Sequence, residues 1–297
     1  MKLNAQQLGL LSSTGIPAAH PTKTPSPARK KCGREVARLN ELAAMKTIAK
    51  FGHARISEIA RSVSPRARYA EQMARRTVER LVTQGLLLGR RNALGSTSYC
   101  MTRVDAAWLD ARGVEAQHTL DLSSVAGSTF FHRTLATRYL IERQVEGFQV
   151  AGEYILLRRK TPFPIDELIK ALRKIPDGMV WQRKPDGSVA IEIFENEASA
   201  KPRTEIERCL KTAEYVGRAL DKDGVYRVAG LVFAFDRELN HARRIMLAAN
   251  SLWADRTTAE RVTLERRVKL VAVELRDPLV WVSSTVTTLH DLRQRGV

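Results

Sequence analysis

Asp177, Glu192, Glu195, Glu197 and Lys201 gather acids and a lysine about two short apolar runs, a set of residue types that could hold a divalent cation. Asp177 stands at the mouth of one apolar run, Gly178-Met179-Val180-Trp181. Glu195 and Glu197 close a second run that begins at Val189, and Pro185-Asp186-Gly187 supplies a tight turn between the two. Acids gathered at strand tips repel one another and lose hydration. A divalent cation would relieve that penalty, because hard cations take carboxylate oxygens as ligands. Metal-assisted hydrolysis of a phosphodiester is one chemistry that uses such residues: carboxylates hold Mg²⁺ or Mn²⁺, a water is made nucleophilic, and a cation stands near the charge developing on phosphorus. Strand alternation puts Ile191, Ile193, Glu195 and Glu197 on one side and Glu192, Phe194 and Asn196 on the other. Lys201 follows Glu197 by four residues, at the start of a predicted helix.

The order acid, strand, acid-x-acid and nearby lysine resembles the PD-(D/E)XK nuclease superfamily. With Pro176-Asp177-Gly178 ahead of the acidic strand end, it is most similar to the replication-relaxation proteins of plasmids and mobile elements. The resemblance runs from residue 35 to 275. It implies an α+β chain, with an N-terminal winged helix-turn-helix followed by a PD-(D/E)XK nuclease-like α/β domain of αβββαβ order. It further implies Asp177 as first metal ligand, Glu195 and Glu197 as the acid pair, and Lys201 as the residue that orients water or neutralises phosphate. Glu153, on the preceding strand, would complete the metal site. Taking Glu192 as the acid instead puts Phe194 where the superfamily's lysine normally stands. No lysine lies two residues after any of these acids on the strand itself, which departs from the superfamily pattern. Displaced lysines occur in that superfamily, and so do domains that have lost catalysis. Both an endonuclease or nickase and an inactive DNA-binding regulator of replication, transfer or transcription therefore stay open. In the second, the nuclease-like domain only binds or forms a homodimer. Solvated acids at a strand end, before a helix N-terminus that favours acids, are the plainer alternative.

Charge places these acids beside a basic neighbour. Residues 1–112 hold 20 Lys and Arg against 7 Asp and Glu, a net of +13; residues 113–297 hold 29 against 25, a net of +4. A basic half joined to a nearly balanced one predicts a polyanion-binding module attached to something else, with nucleic acid as partner; the helices of the basic half narrow that partner to double-stranded DNA. Cys32, Cys100 and Cys209 stand far apart, so neither disulfides nor a zinc site is expected. No apolar run reaches the ~20 residues that span a bilayer, and the first residues lack a secretory pattern. A cytoplasmic protein with no membrane partner is expected.

The elements that position these residues can be read in order. Residues 1–33 form a Pro-, Ser- and Ala-rich basic arm expected to be disordered. Residues 34–113 predict a winged helix-turn-helix. A helix ends at Gly52, a second is capped by Ser57, and a third runs over 68–84; a hairpin spans 86–101, and a closing helix carries Trp108. On the third helix Ala70, Met73, Ala74, Thr77, Val78 and Leu81 share one side, while Arg68, Gln72, Arg75 and Arg76 share the other. Arg and Gln are the side chains that read guanine and adenine edges in the major groove, so this is the candidate recognition helix. Arg90 and Arg91 would edge the wing. A linker is expected over 114–127. The domain at 128–297 opens on a helix over 128–146, in which His132 is read as a packing residue. A strand over 148–157 carrying Glu153 follows, then a helix over 165–173 and the two strands of the acidic hairpin. A helix over 203–220, a strand over 225–235, a helix over 237–250 and a strand over 268–275 complete the reading.

Overall fold

The computed structural model describes residues 32–93, 95–114, 116, 129–197, 201–238, 241–276 and 280–296. Most of the expected arm and of the expected linker lies outside the described residues. In the N-terminal half the long helix α1 (Gly33–Phe51) ends at Gly52, whose φ of 82° favours glycine. A three-residue strand β1 (His53–Arg55) leads into α2 (Ile56–Val63) and then α3 (Ala70–Thr83). The hairpin is β2 (Leu87–Arg91) and β3 (Thr97–Met101), and α4 (Arg103–Asp110) follows, capped by Thr102. The three strands form an antiparallel sheet of order β1-β3-β2. Met45, Ile48, Ile59, Val78, Leu81 and Leu109 fill the core between helices and sheet.

Two local expectations are corrected here. Strand β1 is too short for alternation to reveal it in sequence. The helix start assigned to a Ser57 cap lies at Arg55 instead: the Glu58 carboxylate accepts the Arg55 backbone N–H at 2.6 Å and its guanidinium at 2.7 Å. A buried ion pair thus does the work expected of a serine hydroxyl.

The C-terminal half is one six-stranded sheet with helices on both faces. Its elements begin with α5 (Thr129–Val145), β4 (Gln149–Gly152), α6 (Glu153–Leu157), α7 (Asp166–Leu172), β5 (Gly178–Arg183), β6 (Val189–Glu197) and α8 (Arg203–Leu210). They continue with β7 (Tyr226–Asp236), α9 (His241–Leu252), α10 (Thr258–Arg266), β8 (Val268–Arg276), β9 (Val280–Thr288) and α11 (Leu289–Gln294). The strand order follows the sequence, β4-β5-β6-β7-β8-β9. The first three strands are antiparallel, β6-β7-β8 are parallel, and β9 returns antiparallel. Helix α5 covers one face, where Tyr139 stacks on Phe194 at 4.4 Å above Val180, Val232 and Val271. On the other face Ile193, Leu210, Phe233 and Trp253 pack against α8, α9 and α10. Fully burying side chains of this size contributes about 1.5–3 kcal/mol each before entropy is counted.

Several boundaries differ from the pattern-based reading. The strand expected over 148–157 stops at Gly152, and Glu153 opens α6. Gly152 turns the chain against α1, where an added Cβ would sit 3.3 Å from Phe51, and an acid suits the first turn of the helix it introduces. The helix expected over 203–220 ends at Leu210, continued by a single 3₁₀ stretch, Lys211–Tyr215. The helix expected from residue 237 is described from His241. Helix α10, strand β9 and helix α11 were not anticipated.

The two halves pack on each other. Phe51 joins the cluster of Tyr139, Leu140 and Phe194, and His53 stacks on Phe130 at 5.9 Å. Across the same junction the Arg61 guanidinium donates to Glu142, which also pairs with Arg138 at 2.9 Å, and Lys50 donates to Gln144 at 2.8 Å.

Candidate functional site

Asp177 leaves the chain just before β5, at a crowded point of the sheet. A Cβ on Gly178 would lie 3.0 Å from Leu140 and 3.1 Å from both the Ala151 carbonyl and Phe194. Glycine at this position lets β5 close on β4 under α5, and it fixes the neighbouring carboxylate against the end of β6. There Asp177 Oδ2 accepts the Asn196 backbone N–H at 2.8 Å and lies 3.1 Å from His132 Nε2. The Asn196 amide in turn donates to the His132 carbonyl at 2.7 Å, tying α5 to the strand end.

The structure brings Asp177, Glu195, Glu197 and Lys201 together. Lys201 Nζ lies 3.0 Å from Glu197 and 3.7 Å from Asp177, and donates to the Asn196 carbonyl at 2.8 Å. Glu195 pairs with Lys174, whose Nζ also lies 3.3 Å from Cys209 Sγ. Glu195 and Glu197 are fully buried, whereas His132 and Lys174 keep about a fifth to a quarter of their side-chain surface open. The more accessible rim is therefore His132 and Lys174, with Asp177 and Lys201 further in and the paired glutamates behind.

The electrostatics follow from this layering. Burial pushes the Asp177 carboxyl up, but the hydrogen bond and charge of His132 and the charges of Lys174 and Lys201 outweigh it. They hold the group well below the usual carboxylate range. Burial pushes Glu195 up, the nearby Asp177 charge adds to that, and Lys174 opposes both. Glu197 is raised by burial with Lys201 in opposition. Lys201 stays protonated: burial lowers it, and Asp177 leads the charges that raise it further.

The residues present do not form a ready-made metal centre. Among the described residues no group of three or more His, Cys, Asp or Glu side chains could hold a metal ion. Each acid already has a cationic partner, so an ion would have to displace Lys174 or Lys201. Glu153 does not complete the cluster as expected. It sits 3.5 Å from Arg133, across a cavity of about 60 Å³ that it lines with His132, Asp177 and Phe51. Glu192 faces the opposite side of the sheet, paired with Lys269 and 3.9 Å from Arg143, and takes no part.

Lys174 and His132 were missed as site residues. Lys174 carries no motif; only the return of its loop against α8 brings it to Glu195. His132 was assigned to packing because it lies among aromatic residues, and its place on the side of α5 facing the end of β6 is a tertiary fact.

The second candidate surface lies in the N-terminal half. Gln72, Arg75 and Arg76 are exposed on α3, while Ala74, Thr77, Val78 and Leu81 are buried beneath them. Met73 departs from the expected buried side and is exposed. Arg68 lies exposed just ahead of the helix, its guanidinium 5.3 Å over the Tyr69 ring, and Arg66 is exposed in the same loop. Arg90 and Arg91 are exposed at the far end of β2. Burial raises the Tyr99 phenol on β3, with the charge of Arg75 opposing it.

Comparison with models of protein families, with curated proteins and with solved structures gives no match for this chain. Its class stands as an α+β protein with a mixed sheet, and no described helix is long and apolar enough to cross a membrane.

Proposed function

We propose that the chain binds double-stranded DNA through α3 and the β2–β3 hairpin, in the manner of a winged helix-turn-helix. The observation that carries this reading is the division of α3 into a buried apolar side and an exposed side bearing Gln72, Arg75 and Arg76, flanked by Arg68, Arg90 and Arg91. Cationic side chains that release counterions from phosphates drive such binding, and a helix of this diameter fits the major groove. The order of three helices and a β1-β3-β2 sheet supports the same reading. A labelled duplex titrated at several salt concentrations should show affinity falling steeply as salt rises. Affinity that does not change with salt would overturn the proposal.

A second reading, a nuclease-like domain acting on the bound DNA, is favoured by the convergence of Asp177, Glu195, Glu197 and Lys201. The order α5-β4-β5-β6-α8-β7, with α6 and α7 inserted between β4 and β5, also supports it, since three antiparallel strands and then a parallel one are what the αβββαβ resemblance implies. A DNA phosphate reaching the cluster would meet Lys174, Lys201 and His132 before the glutamates. Supercoiled plasmid incubated with the protein and Mg²⁺ or Mn²⁺ separates the alternatives. Nicking or linearisation lost in Asp177→Ala supports an endonuclease of plasmid or mobile-element processing; intact plasmid under conditions where the duplex is bound leaves a DNA-binding regulator.

A further inference from the structure

Strand β9 ends the large sheet with an outer edge that no described element pairs. Exposed edges are usually guarded by charge, proline or shortness, because their unpaired N–H and C=O groups accept another strand. The opposite edge, β4, is only four residues long. In contrast β9 is nine residues, Val-Trp-Val-Ser-Ser-Thr-Val-Thr-Thr, with no charge, proline or glycine in a chain that is 27% charged. Val280, Val282 and Val286 are each more than a third exposed. Beside it an open cavity of about 450 Å³ is lined by Thr285, Thr287 and Leu292, with Arg237, Glu238 and Arg295 on its wall.

We infer that β9 is a dimerisation edge that pairs antiparallel with β9 of a second copy. This rests on the edge strand alone, not on DNA binding. Two features select a second copy over a different partner. Each chain carries +17, so two copies meet at least cost where neither presents charge. The segment is also self-complementary. A register shift opposite Val282 leaves Ser283–Thr288 as the regular stretch before α11, and a two-fold on Thr285 uses its first five residues. An antiparallel two-fold centred on Thr285 sets Ser283 against Thr287, Ser284 against Val286 and Thr285 against itself. Every pair is then β-branched or small and hydroxylated, the kind that stabilises antiparallel strands. The symmetry is closed and isologous, so the pairing stops at two copies.

A charge swap on the two-fold axis provides the test, with mass read by sedimentation on the full chain. The wild type is expected at twice 33.3 kDa. Thr285→Lys and Thr285→Glu each place like charges directly opposite and are expected to sediment as monomers with unchanged circular dichroism. An equimolar mixture of the two is expected to return to the dimer mass. A monomeric wild type, a dimer that survives both substitutions, or a mixture that stays monomeric would each overturn the inference.

Discussion

Lys201 illustrates how strongly single residues are constrained at the strand end. It faces Asp177 and the fully buried Glu197, so Lys201→Met would leave Glu197 without its cation. Breaking a buried pair from one side costs about 3–5 kcal/mol. Urea unfolding should show a loss of that size, with a large part restored when Glu197→Gln is added. Gly178→Ala tests the crowding under α5. The new methyl meets Leu140, Phe194 and the Ala151 carbonyl, and overpacking of this kind costs about 1–3 kcal/mol. Asp105 tests titration: it is buried on α4 without a side-chain partner, and burial pushes its carboxyl up to about 7. Between about pH 4 and pH 7 the folded state therefore binds the proton that the unfolded chain has released, and stability falls as pH rises. Asp105→Asn should flatten that fall and raise stability above pH 7. Strand alternation made Glu195 and Glu197 legible as one side of β6, and the order of acids and lysine in the PD-(D/E)XK resemblance added Asp177 and Lys201. His132 and Lys174 were not, because only folding brings α5 and the loop after α7 to the same carboxylates.

At the scale of elements, α3 is where sequence periodicity and structure agree most closely. The buried side follows from the 3.6-residue repeat, with Met73 exposed and Ala70 only half-buried. Because Arg75 and Arg76 are exposed, replacing either with alanine should leave folding unchanged. On the DNA-binding reading, each loss should weaken duplex binding and lower the salt slope by about one. Strand ends were harder to read. The apolar run that suggested a strand through Leu157 breaks at Gly152, which lies close against Phe51 and precedes the helix opened by Glu153. Strand β9 was missed because its serines and threonines give no apolar alternation; pairing with β8 defines it.

For the whole molecule, charge asymmetry predicted two halves with different tasks but gave no sign that they share a packed junction. Glu142 stands at its centre, held by Arg61 from α2 and Arg138 from α5. Calorimetry of the wild type should show one unfolding transition. Glu142→Ala should lower it by about 1–3 kcal/mol, since two cations lose their partner. Two resolved transitions in the wild type would contradict the coupling. The junction matters to the proposed function because it fixes the orientation of the α3 surface relative to the Asp177 cluster.

The most direct test of the central claim is a photo-crosslinking side chain placed at Gln72, the exposed centre of the α3 surface. Irradiation with duplex DNA should give a covalent adduct at position 72 that excess unlabelled duplex removes and that Arg75→Ala with Arg76→Ala reduces. Binding of the duplex with no adduct at that position would contradict it.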